Sequence, residues 1–596
     1  MRDNRYLAAY RKYQDSPVRV LLGLYKGNYG LLALAALFYL IKHSSAWVTP
    51  IVVARIITAL SDGGSGAWDL VVRDSLILGV LVILNVPMNY LHVHFRSTAL
   101  RRVEAGLRST IVEKLQHLSI PFHNEMQSGK LQSKIIRDVE AVQTLSEQVF
   151  VNLINITINI VISLTITAIT NLSIFFFFLL TIPVAAVTIR LFRKPIEQKN
   201  RNFRHEVERT AADFMEMEEM ITITRAHALE DVETGRLARQ ARQVADEGYR
   251  LDIVQANFGS VSWAVFQGFQ IMTLAFSAYM SLAGQIPVGN VVLYQTYFTT
   301  LVNQVTSILT LVPMIAKGLE SVRSIGEVLN SMDVEDYEGK AQLAEVKGAF
   351  RFEKLAFHYR GKSEQVLEEF SLQVKPGETV AFVGESGAGK TTLINLLIGF
   401  IKPTGGKLYI DGRDTAELDF RSFRRHLSVV PQNSILFSGT IRDNITYGNP
   451  DVSEEALWQA VRAASLEKFV REQPLGLDSY LTENGGNLSG GQKQRLSIAR
   501  ALVRSPEVIV FDEATSALDS ISEKAVLEAL DTLIEGRTAF IVAHRISTIR
   551  KADKICVLQK GRLAEMGSYV ELMALGGLFS SMQKLQSGDI PAGGEA

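Results

Sequence analysis

The sequence predicts a multidomain membrane protein, in which an all-α domain of six transmembrane helices precedes an α/β domain built around a phosphate-binding loop. Long apolar runs crowd into the first half of the 596 residues, whereas the second half contains short apolar strands and glycine-rich turns. The 62 basic and 62 acidic side chains balance, so no overall charge points to nucleic acid. The predicted boundaries are a membrane domain 1–330, a linker 331–345, an α/β domain 346–587 and a disordered tail 588–596.

Six apolar stretches are long enough to cross a bilayer, since a hydrocarbon core of about 30 Å needs about 20 residues of helix. A soluble helical bundle would need a polar stripe on each helix, and residues 173–187 have almost none. We therefore interpret the stretches as membrane spans. They are residues 29–60, 76–95, 150–170, 172–192, 258–283 and 291–316.

The loops between the spans predict their orientation. Two long loops, 96–149 and 193–257, carry eight and eleven Lys or Arg residues, whereas the three short connections carry one in all. Basic loops stay on the cytoplasmic side, so we expect the long loops, both termini and the α/β domain in the cytoplasm. A bacterial plasma membrane is the expected location. Nothing near the N-terminus resembles a removable signal peptide.

The long loops themselves have helical periodicity, which predicts that the spans continue into water and meet in turns. Two segments are candidate turns and contact points for the α/β domain. Residues 119–127 contain Pro121 and Gly129 follows them, and residues 212–224 offer an acidic, methionine-rich face. The alternative is that each turn is simply a solvated hairpin tip.

Several polar residues lie within the predicted spans. Lys42 and His43, with Pro50 and Arg55 further along the first span, either face a water-filled cavity and contact cargo or reach to an interface. The other polar residues either line the same passage or form hydrogen bonds between helices. These are Asn152, Asn155, Asn159, Gln295, Asn303 and Gln304.

The phosphate-binding loop follows a short apolar strand, residues 380–383, and precedes an apolar helix. Its sequence runs from Gly384 to Thr392 and has the glycine spacing of a nucleotide-binding loop. Glycines let backbone N–H groups surround phosphates, Lys390 neutralises the outer phosphates, and Thr391 is a candidate Mg²⁺ ligand. The segment therefore predicts ATP binding.

A second apolar strand, residues 508–511, ends in the carboxylates Asp512 and Glu513. A carboxylate at a strand end is suited to hold Mg²⁺, and the next one to orient and polarise water. The pair predicts hydrolysis of the bound nucleotide.

Ser489, Gly490, Gly491 and Gln492 follow Leu488 and precede a predicted helix, which indicates a second anion site. Here the chain resembles the ATP-binding cassette (ABC) transporters. In that family two cassettes sandwich two ATP molecules, and each signature loop of this type covers the nucleotide of its partner. The resemblance therefore implies a dimer. The combination of six spans and one cassette on a single chain resembles the half-transporters of the exporter type, which include multidrug, lipid and peptide exporters.

The resemblance also assigns roles to single residues. Tyr359 resembles the aromatic residue that stacks on adenine, Asp519 lies in a loop that communicates across the dimer, and His544 resembles the switch histidine near the terminal phosphate. Gln432 resembles the glutamine that touches Mg²⁺ and water. Thr482 departs from the family pattern, because glycine often stands at its position.

The candidate sites combine these arguments. The catalytic candidates are Glu513, His544 and Gln432, and the Mg²⁺ candidates are Thr391, Gln432 and Asp512. The nucleotide-binding candidates are Tyr359, Gly384, Glu385, Ser386, Gly387, Ala388, Gly389, Lys390, Thr391, Thr392, Gln432, Asp512, Ser489, Gly490, Gly491, Gln492 and Asp519.

The predicted function is an ATP-hydrolysing exporter that moves an amphipathic or hydrophobic cargo outward by alternating access. Because every catalytic position matches the family, including Glu513, Ser489 and His544, a homodimer is favoured over a heterodimeric exporter. An ATP-gated channel or regulator on the same frame is the alternative, but it would need a regulatory segment that the sequence does not reveal. The single cysteine, Cys556, lies in an apolar strand and is interpreted as a buried thiol.

Overall fold

The computed structural model describes residues 5–63, 66–126, 128–335, 337–359, 364–449, 451–512, 520–543 and 549–587. The chain divides into two compact units. The first contains Met1–Gln116 and Ser128–Met332, and the second contains His117–Gln127 and Asp333–Ala596. Residues 117–127, which include the turn of the first long loop, thus group with the α/β half. The predicted tail, 588–596, lies outside the described residues.

The described part of residues 1–332 is helical. Two π-helical turns, Lys134–Asp138 and Gln148–Leu153, connect α6 to α7 and α7 to α8. The helices are α1 (Arg5–Lys12), α2 (Pro17–Leu24), α3 (Tyr29–Asp62), α4 (Ala67–His117), α5 (Ile120–Glu125), α6 (Ser128–Ser133), α7 (Val139–Glu147), α8 (Ile154–Thr170), α9 (Leu172–Ala226), α10 (Glu230–Leu282) and α11 (Gly289–Leu329).

Among the described residues, six helical runs are long and apolar enough to span a membrane, which confirms the predicted all-α membrane domain. They are α3, α4, the run Leu131–Thr170, α9, α10 and α11. Helices α4, α9 and α10 have 51, 55 and 53 residues. At 1.5 Å per residue each is about 80 Å long, far more than a hydrocarbon core of about 30 Å requires. The predicted helical character of the long loops is therefore correct.

The two long loops turn at different kinds of site. In the first, Ser119 accepts a hydrogen bond from the backbone N–H of Phe122 and caps α5, as the predicted turn at 119–127 requires. In the second, the predicted turn at 212–224 is wrong, because α9 continues to Ala226. Met, Glu and Ala favour helix, and the chain reverses only at residues 227–229, where Ala228 has a positive φ of 54°.

Hydrogen bonds connect the membrane-spanning helices to one another. The Tyr39 hydroxyl of α3 donates to Asn155 Oδ1 of α8, and Trp47 Nε1 donates to Asn159 Oδ1 at 2.8 Å. From α11, the Tyr297 hydroxyl donates to the Trp47 carbonyl at 2.9 Å. Two asparagines named as passage or packing residues therefore contribute to packing.

The described part of the second unit contains twelve strands. They are β1 (Phe350–Phe357), β2 (Leu367–Val374), β3 (Thr379–Gly384), β4 (Gly405–Ile410), β5 (Arg413–Asp414), β6 (Leu427–Val430), β7 (Gly439–Thr440), β8 (Tyr480–Leu481), β9 (Val508–Asp512), β10 (Thr538–Val542), β11 (Lys554–Gln559) and β12 (Arg562–Gly567).

Its further helices follow the phosphate-binding loop. They are α12 (Lys390–Ile398), α13 (Phe420–Arg424), α14 (Ile441–Ile445), α15 (Glu454–Ala463), α16 (Glu467–Glu472), α17 (Gly490–Val503), α18 (Ser520–Ile534), α19 (Tyr569–Leu575) and α20 (Leu578–Ser587). Three short 3₁₀ turns are Thr415–Glu417, Gly476–Asp478 and Glu483–Gly485. Helices and strands alternate, as the predicted α/β class requires.

A six-stranded sheet in the order β12-β11-β3-β10-β9-β6 forms the centre of this unit. All of its pairs are parallel except β11 with β12. A second sheet, β2-β1-β4-β5, is antiparallel, and β7 pairs with β8. Because β3, β6, β9 and β10 run in the same direction, their carboxyl ends lie along one edge.

Both faces of the central sheet are buried. Val380 and Phe382 of β3 pack into one apolar cluster, and Ala381 and Val383 pack into the other. Cys556 of β11 is completely buried in the first of these clusters, and burial raises the pKa of its thiol to about 12. The prediction of a buried cysteine is correct, and its thiol is unsuited to act as a nucleophile.

Candidate functional site

The carboxyl edge of the central sheet brings together residues that are far apart in sequence. The strand β3 ends at Gly384, β9 ends at Asp512, and Gln432 follows β6 by two residues. Strand β10 lies between β3 and β9, with Val542 paired to Asp512 on one side and to Phe382 on the other. The sheet therefore places three predicted site segments side by side.

These segments surround a cavity of about 580 Å³, which is within the ordinary size range of small-molecule sites. The predicted phosphate loop, the aromatic residue, the glutamine and the strand-end carboxylate all contribute to its wall. Sequence reasoning missed three wall residues, Glu364, Val366 and Val542. The lining residues are Tyr359, Glu364, Val366, Ser386, Gly387, Gly389, Lys390, Thr391, Thr392, Gln432, Asp512 and Val542.

The phosphate loop is shaped by close backbone approach at Gly389, the residue before α12. Its φ is +103°, in the left-handed region that L side chains rarely adopt. A Cβ added there would lie 2.8 Å from Leu367 Cδ2 and 2.9 Å from the Val366 carbonyl oxygen. The loop thus rests against the start of β2, and only glycine fits this position.

Lys390 begins α12 and is 7% exposed. Its Nζ donates hydrogen bonds to the carbonyl oxygens of Gly384 at 2.7 Å and Glu385 at 2.8 Å. The ammonium is thereby held across the mouth of the loop, next to the positive end of the helix. This arrangement fits a polyphosphate, whose charge would be met by the lysine and by the backbone N–H groups.

Tyr359 stands at another side of the cavity. Its hydroxyl is 3.3 Å from Thr392 Oγ1, and its ring meets the Phe357 ring edge to face at a centroid distance of 4.9 Å. The side chain is 41% exposed, so a flat face is open for stacking.

The predicted second anion site lies at the start of α17. Ser489 caps this helix: its hydroxyl accepts from the Gln492 backbone N–H at 3.3 Å, and its own N–H donates to Gln492 Oε1 at 2.9 Å. Ser489 and Gly490 are exposed, and none of Ser489, Gly490, Gly491 and Gln492 lines the phosphate cavity. Within the described residues, the two predicted anion-binding features of this chain are therefore separate.

Comparison with known proteins gives the family. The family model described as "ABC transporter" matches residues 367–516, and the one described as "ABC transporter transmembrane region" matches residues 32–305. The chain belongs to the ABC transporter family. The resemblance drawn from the motifs is thereby confirmed, as is the combination of a six-helix membrane domain with an α/β P-loop ABC ATPase domain.

Individual relatives match this ABC transporter over almost its whole length. The "Uncharacterized ABC transporter ATP-binding protein YwjA" of Bacillus subtilis is 30% identical and aligns over 91% of this chain and 94% of its own. An "ATP-dependent lipid A-core flippase" of Chromobacterium violaceum is 30% identical over 95% and 97%. A solved structure described as a bacterial Atm1-family ABC exporter with ATP bound has a TM-score of 0.81 and 27% identity, covering 95% and 99%.

The ABC transporter is therefore an integral, multi-pass membrane protein with an ATPase domain that binds nucleotide. Three of its predicted site residues, Glu513, Asp519 and His544, lie outside the described residues. Their roles stay predictions.

Sequence reasoning also missed an arginine that joins two parts of this ATPase domain. Arg500 of α17 donates to the carbonyl oxygens of Asn444 at 2.8 Å and Ile435 at 3.0 Å. Its guanidinium also lies over the rings of Phe437 and Tyr447. The helix that begins at the signature loop is thus attached to the segment that follows Gln432. Arg500 sits in no motif, so no local pattern could have identified it.

A second missed contact involves the turn of the first long loop. Leu118 forms a β-bridge with Val334, and Ser119 N–H donates to the Asp333 carbonyl at 2.9 Å. The next residue, Glu335, accepts two hydrogen bonds from Arg424, at 2.8 and 3.0 Å.

The same arginine also forms hydrogen bonds to α12, the helix that follows the phosphate loop. Arg424 donates to the carbonyl oxygens of Ile398 at 3.0 Å and Gly399 at 2.8 Å, at the C-terminal end of α12. Residues 117–119, the linker and the helix that begins at Lys390 therefore form one hydrogen-bonded series.

Gly389→Ala tests the shape of the phosphate loop. Gly412→Ala is the matched control, because Gly412 has a φ of +80° and no atom near an added Cβ. In both variants the new alanine must adopt a left-handed backbone conformation, which costs ~1–2 kcal/mol. Only Gly389→Ala also clashes with Val366 and Leu367, so we expect its ATP affinity to fall at least about tenfold. Equilibrium ATP binding checks this, and equal affinity in the two variants would contradict it.

Proposed function

We propose that this chain is one half of a homodimeric ABC exporter, which moves an amphipathic or hydrophobic cargo out of the cytoplasm by alternating access. The observation that carries the proposal is the separation of the two anion-binding features within one chain. The exposed Ser489 end of α17 does not line the cavity that contains Lys390. The Ser489 segment of a second copy would complete the ATP site of this chain. The Ser489 segment of this chain would complete the partner's ATP site in the same way.

The ATP chemistry follows from the residues of each cavity. Lys390 and the loop N–H groups would hold the phosphates, and Tyr359 would stack on the base. Thr391, Asp512 and Gln432 offer oxygen ligands of the kind that Mg²⁺ prefers, and the ion would neutralise phosphate charge when bound. Glu513 would orient and polarise the attacking water, with His544 near the terminal phosphate.

Closure of the two ATPase domains would be transmitted through the long helical loops. The α9–α10 hairpin exposes large apolar side chains close to its reversal at residues 227–229, including Met220 at 44%, Ile223 at 52% and Val232 at 62%. Such a patch favours burial against a partner, and we assign it to the ATPase domain of the second copy. We place this tip, both termini and the ATPase domains in the cytoplasm of a bacterial cell, since the long loops hold almost all loop Lys and Arg residues.

Glu513→Gln tests the proposed hydrolytic role. Removing the carboxylate leaves the phosphate loop intact, so we expect ATP affinity to stay within about twofold and turnover to fall about 100-fold or more. The exposed Glu535 gives the control, Glu535→Gln. Phosphate release and ATP binding are measured on the same reconstituted samples. Normal turnover in the Glu513 variant would refute the role.

A disulfide between copies tests the shared site. Ser386 lies in the phosphate loop and Ser489 at the signature helix, and the only native cysteine, Cys556, is buried. The double variant Ser386→Cys/Ser489→Cys is therefore expected to form a covalent dimer when ATP and Mg²⁺ close the two copies. Non-reducing gels report the product, and each single variant is the control. A band that stays monomeric with ATP would overturn the shared site.

Glu335→Gln tests transmission through the linker. The ion pair between Glu335 and Arg424 is largely shielded, with side chains 17% and 23% exposed, so weakening it should loosen the series that reaches α12. We expect the ratio of cargo-stimulated to basal ATPase to fall twofold or more, a coupling loss of ~0.5–2 kcal/mol. Glu345→Gln, at an exposed linker position, is the control. An unchanged ratio in Glu335→Gln would show that coupling does not pass through this pair.

A further inference from the structure

Another cavity lies in the first unit, where the N-terminal helices α1 and α2 pack against α11. Its volume is about 290 Å³, close to the lower limit of ordinary small-molecule sites. The wall that α11 contributes, from Val322 to Asn330, follows the predicted sixth span, residues 291–316. We therefore expect the cavity to lie outside the hydrocarbon core and to be reached from water.

Gly326 lies in this wall beside Tyr10 and Asn330. It is inside α11 and has no positive φ, so the backbone does not require glycine. A Cβ added there would lie 3.5 Å from Tyr10 Cδ1 and 3.8 Å from Asn330 Nδ2, which is ordinary van der Waals contact. Alanine would therefore fit, and it would stabilise the helix by roughly 0.5–1 kcal/mol relative to glycine. The glycine costs stability and leaves this part of the cavity open.

Two buried polar atoms of the wall have no hydrogen-bond partner within the described part of the chain. They are the Tyr10 hydroxyl and Asn330 Oδ1. Tyr10 is only 1% exposed, and an unsatisfied buried group costs about 1–3 kcal/mol. The hydroxyl of a tyrosine both donates and accepts, whereas an amide oxygen only accepts. A ligand that satisfies both atoms must therefore bring a donor, and a hydroxyl group is suited to both.

The charged side chains of the wall are already paired. Arg323 Nη1 lies 3.3 Å from Glu320 Oε2, and Lys134 Nζ lies 2.9 Å from Glu327 Oε2. Among the described residues, the wall thus holds no uncompensated charge that would select an ionic ligand. An uncharged ligand is favoured, because a buried ion without a counter-charge is costly.

We infer that this cavity binds a small, uncharged molecule that carries a hydroxyl group on an apolar skeleton. The ligand hydroxyl would donate to Asn330 Oδ1 and accept from the Tyr10 hydroxyl, which removes the cost of the two unsatisfied groups. The skeleton would contact Val20 and Val322, which are 2% and 1% exposed and belong to one apolar cluster. All wall residues belong to the first unit, so the site is distinct from the ATP cavity and independent of the direction of transport.

Equilibrium dialysis tests the site on the full-length protein in lipid nanodiscs, with uptake by empty nanodiscs subtracted. The probes share one skeleton: phenylpropanol, propylbenzene, which lacks the hydroxyl, and the anionic phenylpropanoate. We expect the wild-type protein to prefer phenylpropanol. Tyr10→Phe should lower the ratio of phenylpropanol to propylbenzene affinity about fivefold, or about 1 kcal/mol. Tyr249→Phe, at a tyrosine of α10 that is 66% exposed, is the matched control.

Gly326→Ala tests the cavity by its volume. The added methyl group should lower the affinity for phenylpropanol and propylbenzene alike, about tenfold. The melting temperature of the ligand-free variant should not fall, because alanine favours helix over glycine. The matched control is Gly235→Ala in α10, where the nearest atom to an added Cβ is Arg239 Nη1 at 3.8 Å. Unchanged affinity in Gly326→Ala would place the binding elsewhere and overturn the site.

Tyr10→Phe also has a readout that needs no ligand. If the hydroxyl is unsatisfied in the ligand-free protein, its removal should leave the melting temperature unchanged or raise it. A lower melting temperature would show that the hydroxyl has a partner within the protein, and the inference would be wrong. Equal affinity of the wild-type protein for phenylpropanol and propylbenzene, or a preference for phenylpropanoate, would also overturn it.

Discussion

The parallel pairing of β3, β6, β9 and β10 is the constraint on which the ATP site depends. Gly384, Gln432 and Asp512 meet only because these strands point the same way and end at one edge. Burial of both sheet faces fixes the register, since a slip of one residue would exchange Val380 and Phe382 with Ala381 and Val383 between the two clusters. The apolar core therefore determines the distance between the groups that handle phosphate.

The phosphate loop and the linker are connected to opposite ends of α12. The phosphate loop precedes its first residue, and Arg424 binds the carbonyl oxygens at and just beyond its last. With nine residues, the helix is about 14 Å long. A movement of the phosphate loop would therefore be carried by this single helix to the ion pair between Arg424 and Glu335. The hydrogen bonds of residues 117–119 extend this path into a segment that belongs, in sequence, to the membrane half.

Features with a local physical cause were predictable from the sequence. The six spans follow from apolar length, and the phosphate loop follows from glycine spacing between a strand and a helix. The second hairpin turn was misplaced, because the helix formers of residues 212–226 give no stop signal before Ala228. The contacts of Arg500 and Arg424 could not be found, since their partners lie 56 and 89 residues away in the chain. Long-range pairing leaves no mark in local periodicity.

The grouping of His117–Gln127 with the ATPase half limits how such transporters can be recombined. A chimaera spliced at residue 333 would join a foreign cassette to a native Leu118, although Val334 and its bridge to Leu118 straddle the splice. The two compact units are not consecutive in sequence, because His117–Gln127 of the second lies between the two segments of the first. Successful exchange of a cassette therefore requires that this eleven-residue insert travel with it.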